Sequence, residues 1–118
     1  MASGTVNTGT KLVLLWTNSS PTSSFAAQSV SVDLSPYEWF AIEYRYSATS
    51  NPILPLAMFE VDENRHLLSV ANNTSNRTGG RIFAYSASNQ AIAFEGGNYN
   101  GSAANTSTIP VAIYGIKL

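Results

Sequence analysis

A hydroxyl nucleophile needs a base to take its proton, and His66 is the one histidine of this 118-residue chain. It falls just beyond a charged turn, with no Gly-x-Ser-x-Gly elbow anywhere, so it reads as an ordinary histidine at a strand end. Glu60 and Asp62 share a strand face by parity and could form the carboxylate pair of a glycoside hydrolase. Asp62-Glu63-Asn64-Arg65 is more simply a charged turn. Asp62 and Asn64 have part of the spacing of a calcium loop but lack its glycine and its distal glutamate. Gly79-Gly80 and Gly96-Gly97 lack the Lys and Ser/Thr of a phosphate-binding loop and read as turns. With no cysteine, thiolate and Cys-type zinc chemistry is excluded. No catalytic residue, metal or cofactor is expected.

Sugar recognition is the chemistry these residue types suit best. Amides and hydroxyls match sugar hydroxyls, and an exposed aromatic ring can stack on a pyranose face. Tyr99, set between Asn98 and Asn100 in a polar stretch, is the first candidate of that kind. Trp39 is the second, because parity puts it opposite Phe40, Ile42 and Tyr44. Loop packing or sheet covering is the competing account of each ring. Were an anionic wall polymer bound instead, Arg45, Arg77 and Arg81 would be the cations to test.

Strands must position these side chains, because the chain alternates apolar and polar residues throughout and nowhere keeps a helical period. Glu38 to Tyr46 is the clearest case, with Phe40, Ile42, Tyr44 and Tyr46 on one face and Glu43 and Arg45 on the other. Lys11–Trp16 is a compact apolar strand. Gln28–Leu34 places Val30, Val32 and Leu34 inward, and Ser35-Pro36 turns the chain. Leu54–Val61, apolar on both faces, reads as a central strand, with a hairpin at 62–64 returning through His66–Val70. Arg81–Tyr85 and Gln90–Glu95 form a second hairpin, and Ile109–Ile116 closes the domain. The polar stretches 71–80 and 96–108 read as exposed surface loops. Seven or eight short strands point to an all-β fold, an antiparallel β-sandwich of jelly-roll type, over residues 11–118. Residues 1–10 read as a flexible leader without a secretory signal.

Charged residues are only 11% of the chain, against about a quarter in typical soluble domains. Six Lys/Arg against seven Asp/Glu provide no basic stripe, which argues against nucleic acid. The longest apolar passage, 52–59, is too short to span a bilayer and holds two prolines, which argues against membrane insertion. The many Asn-x-Ser/Thr triplets follow from the abundance of those residues.

Leu14-Leu15-Trp16-Thr17-Asn18-Ser19-Ser20-Pro21-Thr22-Ser23-Ser24-Phe25-Ala26-Ala27-Gln28, continued by Val30-Ser31-Val32-Asp33-Leu34-Ser35 and Tyr37, resembles a passage of virion structural proteins. These belong to phages and prophages of Gram-positive and gut bacteria. Ile109–Lys117 is similar to that family's closing strand. The resemblance implies a small β domain of a tail fibre, baseplate or head fibre, located in the virion and made in the bacterial cytoplasm. It implies a homo-oligomer, with a trimer favoured, that contacts other virion proteins and a host cell-surface glycan. It defines no site residue. The alternative from another class is a carbohydrate-binding accessory module of a bacterial or phage glycan-degrading enzyme, resting on Trp39 and Tyr99.

Overall fold

Alternating residues form strands because successive side chains point to opposite faces, and a sheet with one apolar face must cover it. The computed structural model describes residues 11–49, 54–72 and 77–118. Among them are ten strands: β1 (Lys11–Thr17), β2 (Gln28–Ser31), β3 (Trp39–Ser47), β4 (Leu56–Glu60), β5 (His66–Asn72), β6 (Arg77–Ser86), β7 (Ala91–Phe94), β8 (Asn98–Tyr99), β9 (Ser102–Ala103) and β10 (Ser107–Lys117). The four-stranded sheet has the order β1-β10-β3-β4. The six-stranded sheet centres on β6, with β5 along one edge and both β8 and β7 along the other, continued outward by β9 and β2. Every pairing is antiparallel. The early strands pair with late ones in a nested way, β1 with β10 and β2 with β7, which gives the sandwich its jelly-roll character. The strand count exceeds the expected seven or eight by the two-residue strands β8 and β9.

The core between the sheets is aromatic and branched-aliphatic. Phe40, Ile42 and Tyr44 of β3 face Leu68, Phe83, Tyr85 and Phe94 of the opposing sheet. Phe83 meets Phe40, Phe59 and Phe94 with ring centroids 4.9 to 6.1 Å apart, within the range of favourable edge and tilted contacts. Val30, Val32 and Leu34 are buried while Ser29, Ser31 and Asp33 are exposed, as alternation requires, although the paired part of β2 ends at Ser31. The Val32 amide donates to Gln90 O at 2.9 Å and Tyr85 Oη accepts from the Leu34 amide at 3.1 Å, which together hold this continuation against the core. The Ile42→Ala substitution is expected to cost roughly 2 to 5 kcal/mol, because Ile42 is wholly enclosed. Glu43→Ala, at a half-buried site where the Tyr114 hydroxyl reaches the carboxylate at 3.4 Å, should cost less than about 1 kcal/mol. Chemical denaturation of the two variants checks the assignment of faces, and equal losses would reverse it.

Several expectations need correction. Leu54–Val61 does not supply a central strand: among the described residues β4 is an edge strand, and its second apolar face, Leu56 and Met58, is exposed. The turn at 62–64 does not close a hairpin, because β4 and β5 belong to different sheets and the chain crosses between them there. The stretch 71–80 is not a continuous loop. Residues 71–72 end β5 and 77–80 begin β6, while 73–76, like the leader 1–10, lie outside the described residues. Gly79-Gly80 is therefore strand rather than turn. The stretch 96–108 is also structured. Asn100 and Gly101, with φ of 52° and 86°, form the tight turn between β8 and β9, an Asn-Gly hairpin signal of the usual left-handed kind. Gly97, Ser107 and Thr108 are buried. Arg45 is only 9% exposed, and its Nε donates to Ser47 O at 3.2 Å.

Candidate binding groove

Inward parity on β6 falls on Gly79, Arg81, Phe83 and Tyr85, so Thr78, Gly80 and Ile82 turn to the outer face of the six-stranded sheet. On β5, Leu68 and Val70 point in, leaving Leu67, Ser69 and Ala71 outside. Gly80 pairs with Asn98 of β8, and the crossing segment 95–96 forms the remaining wall. These residues line an open groove of about 650 Å³. Its floor is shallow because Gly80 carries no side chain: a Cβ there would stand 2.9 Å from Leu67 Cδ1 and 3.0 Å from Leu68 O.

The groove combines an apolar strip, Leu67 and Ile82, with the hydroxyls of Ser69 and Thr78 and the carboxamide of Asn98. Asn98 Oδ1 accepts from Gly101 N at 3.2 Å, while its amide nitrogen makes no hydrogen bond among the described residues. At one end Arg65 Nη2 and Glu95 Oε2 form an ion pair of 2.7 Å. Both side chains are more than half exposed, so the pair adds little stability and closes the rim with neutralised charge.

Beneath the wall lies Arg81, 1% exposed. Its Nε donates to Thr108 O and its Nη1 to Glu95 O, both at 2.8 Å, while Nη2 donates to Ser107 O at 3.0 Å and Asn105 O at 3.3 Å. The guanidinium carbon stands 5.2 Å from the Phe25 ring centroid, a cation–π contact. Burial pushes this guanidinium down to about 10, which still leaves it charged at neutral pH. Arg81 thus ties the 95–97 crossing to the start of β10 and fixes the β8 wall. Arg81 and Arg45 are too enclosed to serve as a surface for an anionic polymer, and the Arg77 side chain lies outside the described residues.

His66 is occupied structurally. Its Nε2 lies 2.8 Å from Asp62 Oδ1, which also accepts from the Asn64 amide at 3.0 Å in an Asx turn. The imidazole packs against Phe59 and Phe83. The hydrogen bond from His66 holds the Asp62 carboxyl below the usual carboxylate range. No group of three or more His, Asp or Glu positioned to hold a metal occurs among the described residues.

The structure does not bring the sequence-derived candidates together. Trp39 lies on the outer face of the four-stranded sheet, level with Ile116 and Glu60. Asn98 lines the groove, and Asn100 forms the β8–β9 turn, its amide donating to Thr78 O at 2.6 Å. Tyr99, half-buried, borders a separate cavity of about 220 Å³ with Tyr46, Ser47, Ala104 and Thr106. Thr78 and Gly80 escape sequence reasoning because the polar run around them resembles a loop, whereas Ile82 falls in the expected strand Arg81–Tyr85. Their alternation with Arg81 and Phe83 is the signal that would have extended the strand backward. No protein-family model matches this chain, and no curated protein or solved structure gives a match either.

Proposed function

We propose that the chain is a non-enzymatic structural domain of a phage tail or head fibre that contributes to host-surface attachment by holding a neutral glycan in the groove over Gly80. The observation that carries the attachment reading is the pairing of Leu67 and Ile82 with Ser69, Thr78 and Asn98 on one open, nearly uncharged face. An apolar strip covers a sugar's C–H face while neighbouring neutral groups bond its hydroxyls. The virion reading is supported by the resemblance of the two chain ends. The opening passage begins in β1, which pairs with β10, so the start of the one segment and the other segment lie side by side.

Asn18 Nδ2 donates to Pro110 O at 2.9 Å, and Phe25 packs on Trp16 and Phe94. The motif residues therefore build the fold, consistent with a recurring domain whose ligand is set elsewhere. A carbohydrate-binding accessory module of a glycan-degrading enzyme would use the same groove, and a hydrolase domain in the same reading frame would favour it over neighbouring tail genes.

The test is binding of the purified domain to host cells and to their wall polysaccharides. Leu67→Ala and Thr78→Ala, both at exposed positions, are each expected to weaken binding roughly tenfold, about 1.4 kcal/mol, with unchanged thermal melting. Affinity should change little with salt, because few ionic contacts are made. Binding lost in Tyr99→Ala or Trp39→Ala but kept in both groove variants would move the site. Absence of binding to every host preparation would remove the attachment role and leave a structural one.

A further inference from the structure

An asparagine followed by glycine is open to attack by its own chain. The amide nitrogen of the next residue can reach the asparagine Cγ, and a residue without a Cβ leaves that approach least hindered. Of the asparagines in this chain, Asn100 alone precedes a glycine. Both residues are exposed, and nothing stands within 4 Å of the position a Gly101 Cβ would take. Asn100 is held through its backbone amide, which donates to Thr78 O at 2.6 Å, while its carboxamide makes no hydrogen bond among the described residues.

The restraint on the attacking atom is slight. Gly101 N donates to Asn98 Oδ1 at 3.2 Å, the long end of the usual range. The turn is closed by β8 and β9, two residues each, and β9 is the outermost strand of its sheet among the described residues. Opening it breaks the register pairs Tyr99–Ser102 and Asn98–Ala103, and no residue of the core cluster lies in either strand. Short, exposed pairings of this kind open at the lowest free energies in a folded chain.

We propose that Asn100 is a site of self-modification, converting with water to isoaspartate and aspartate. The Gly101 nitrogen attacks Asn100 Cγ, the new C–N bond closes a five-membered succinimide, and the Cγ–Nδ2 bond breaks. Nδ2 leaves as ammonia, carrying the proton that the Gly101 nitrogen gave up. Water then opens the imide, at Cγ to give aspartate or at the main-chain carbonyl to give isoaspartate, with no oxidant or reductant. Either product makes the chain one unit more negative than its formal charge of -1. While the imide lasts its nitrogen has no hydrogen, so the bond that orients the Asn98 carboxamide in the groove is lost. Isoaspartate then adds a main-chain carbon to a two-residue turn tied to Thr78. This consequence for binding rests on the glycan reading, whereas the modification does not.

Isoelectric focusing and peptide mapping of the purified full chain, held warm at mildly alkaline pH, test it. The expected result is a more acidic species with isoaspartate at position 100, forming within roughly tenfold of the rate of a synthetic peptide of residues 96–104. Asn100→Gly accepts the positive φ and lacks the amide, so the acidic species should disappear. Host-cell binding by the aged wild type should fall roughly fivefold, while binding by Asn100→Gly stays the same before and after ageing. Conversion slower than about a tenth of the peptide rate would overturn the proposal, since the turn would then protect Asn100. So would an acidic species that persists in Asn100→Gly. Unchanged binding by protein converted at Asn100 would overturn the effect on the groove and leave the modification standing.

Discussion

Arg81→Met is expected to cost roughly 3 to 5 kcal/mol and to lower the melting temperature by more than about 10 °C. Methionine fills a similar volume, so the loss reports polar satisfaction rather than a cavity. Four carbonyl oxygens, of Thr108, Glu95, Ser107 and Asn105, now accept from one guanidinium, and three segments meet where it lies. Without the donors, Asn105 O keeps the Phe25 amide at 2.9 Å, while the carbonyls of Thr108, Glu95 and Ser107 lose the guanidinium or the crossing opens to admit water. Arg81→Lys should lose nearly as much, because an ammonium cannot span a fork of acceptors on several segments. Hydrogen exchange should show the damage concentrated at 95–108. A melt within about 2 °C of wild type for Arg81→Met would show that water replaces the guanidinium without cost.

Such a residue is hard to recognise in a sequence. Arg81 sits between Gly80 and Ile82 with nothing local to mark it as buried, and its acceptors are carbonyls 14 to 27 positions away. The alternating strands are different, since parity is a local property. Phe40, Ile42 and Tyr44 are legible as inward from nine consecutive residues, and the structure buries all three. Parity says which side a residue takes but not whether a second sheet covers that side. For this reason β4, apolar on both faces, reads as central although among the described residues it lies at an edge with its outer face, Leu56 and Met58, exposed. Arg45 marks the same limit: its outward parity is correct in sequence terms, yet it is buried and its Nε donates to Ser47 O.

The similar residues at the two chain ends have a physical reason to recur together. Tyr37 lies against Gly115 of β10, where an added Cβ would stand 2.5 to 2.6 Å from the ring, so the tyrosine after the opening motif and the glycine of the closing strand require each other. Asn18 bonds β10 from the opposite flank. These contacts explain a scaffold and leave the outer faces free to vary. The groove residues Thr78, Gly80 and Asn98 lie in the polar runs that resembled loops, and sequence showed their chemistry without their placement. The run around Gly80 reads as loop because small polar residues have weak strand preference, and the pairing of Gly80 with Ser69 and Asn98 makes it strand.

Gly97→Ala is expected to cost roughly 3 kcal/mol, through overpacking rather than backbone strain. Gly97 accepts from Ala104 N at 2.9 Å and donates to Asn105 Oδ1 at 3.1 Å, so the 95–97 crossing and the approach to β10 lie directly together. An added Cβ would meet the Ala104 carbonyl, stand 2.7 Å from Arg81 Nη2 and come within 2.8 Å of Ser107 O, and two of these three neighbours are backbone that cannot swing aside. Gly101→Ala supplies the contrast. Its φ of 86° strains an L residue, but nothing lies within 4 Å of the new methyl, so its cost should stay near 1 kcal/mol. Because the Gly97 methyl and the Arg81 guanidinium compete for one space, the double variant with Arg81→Met should lose less than the sum of the single losses, by roughly 1 kcal/mol or more. Strict additivity in denaturant titrations would separate the two sites. A Gly97→Ala variant no less stable than Gly101→Ala would place the 95–97 crossing farther from β10 than the structure has it.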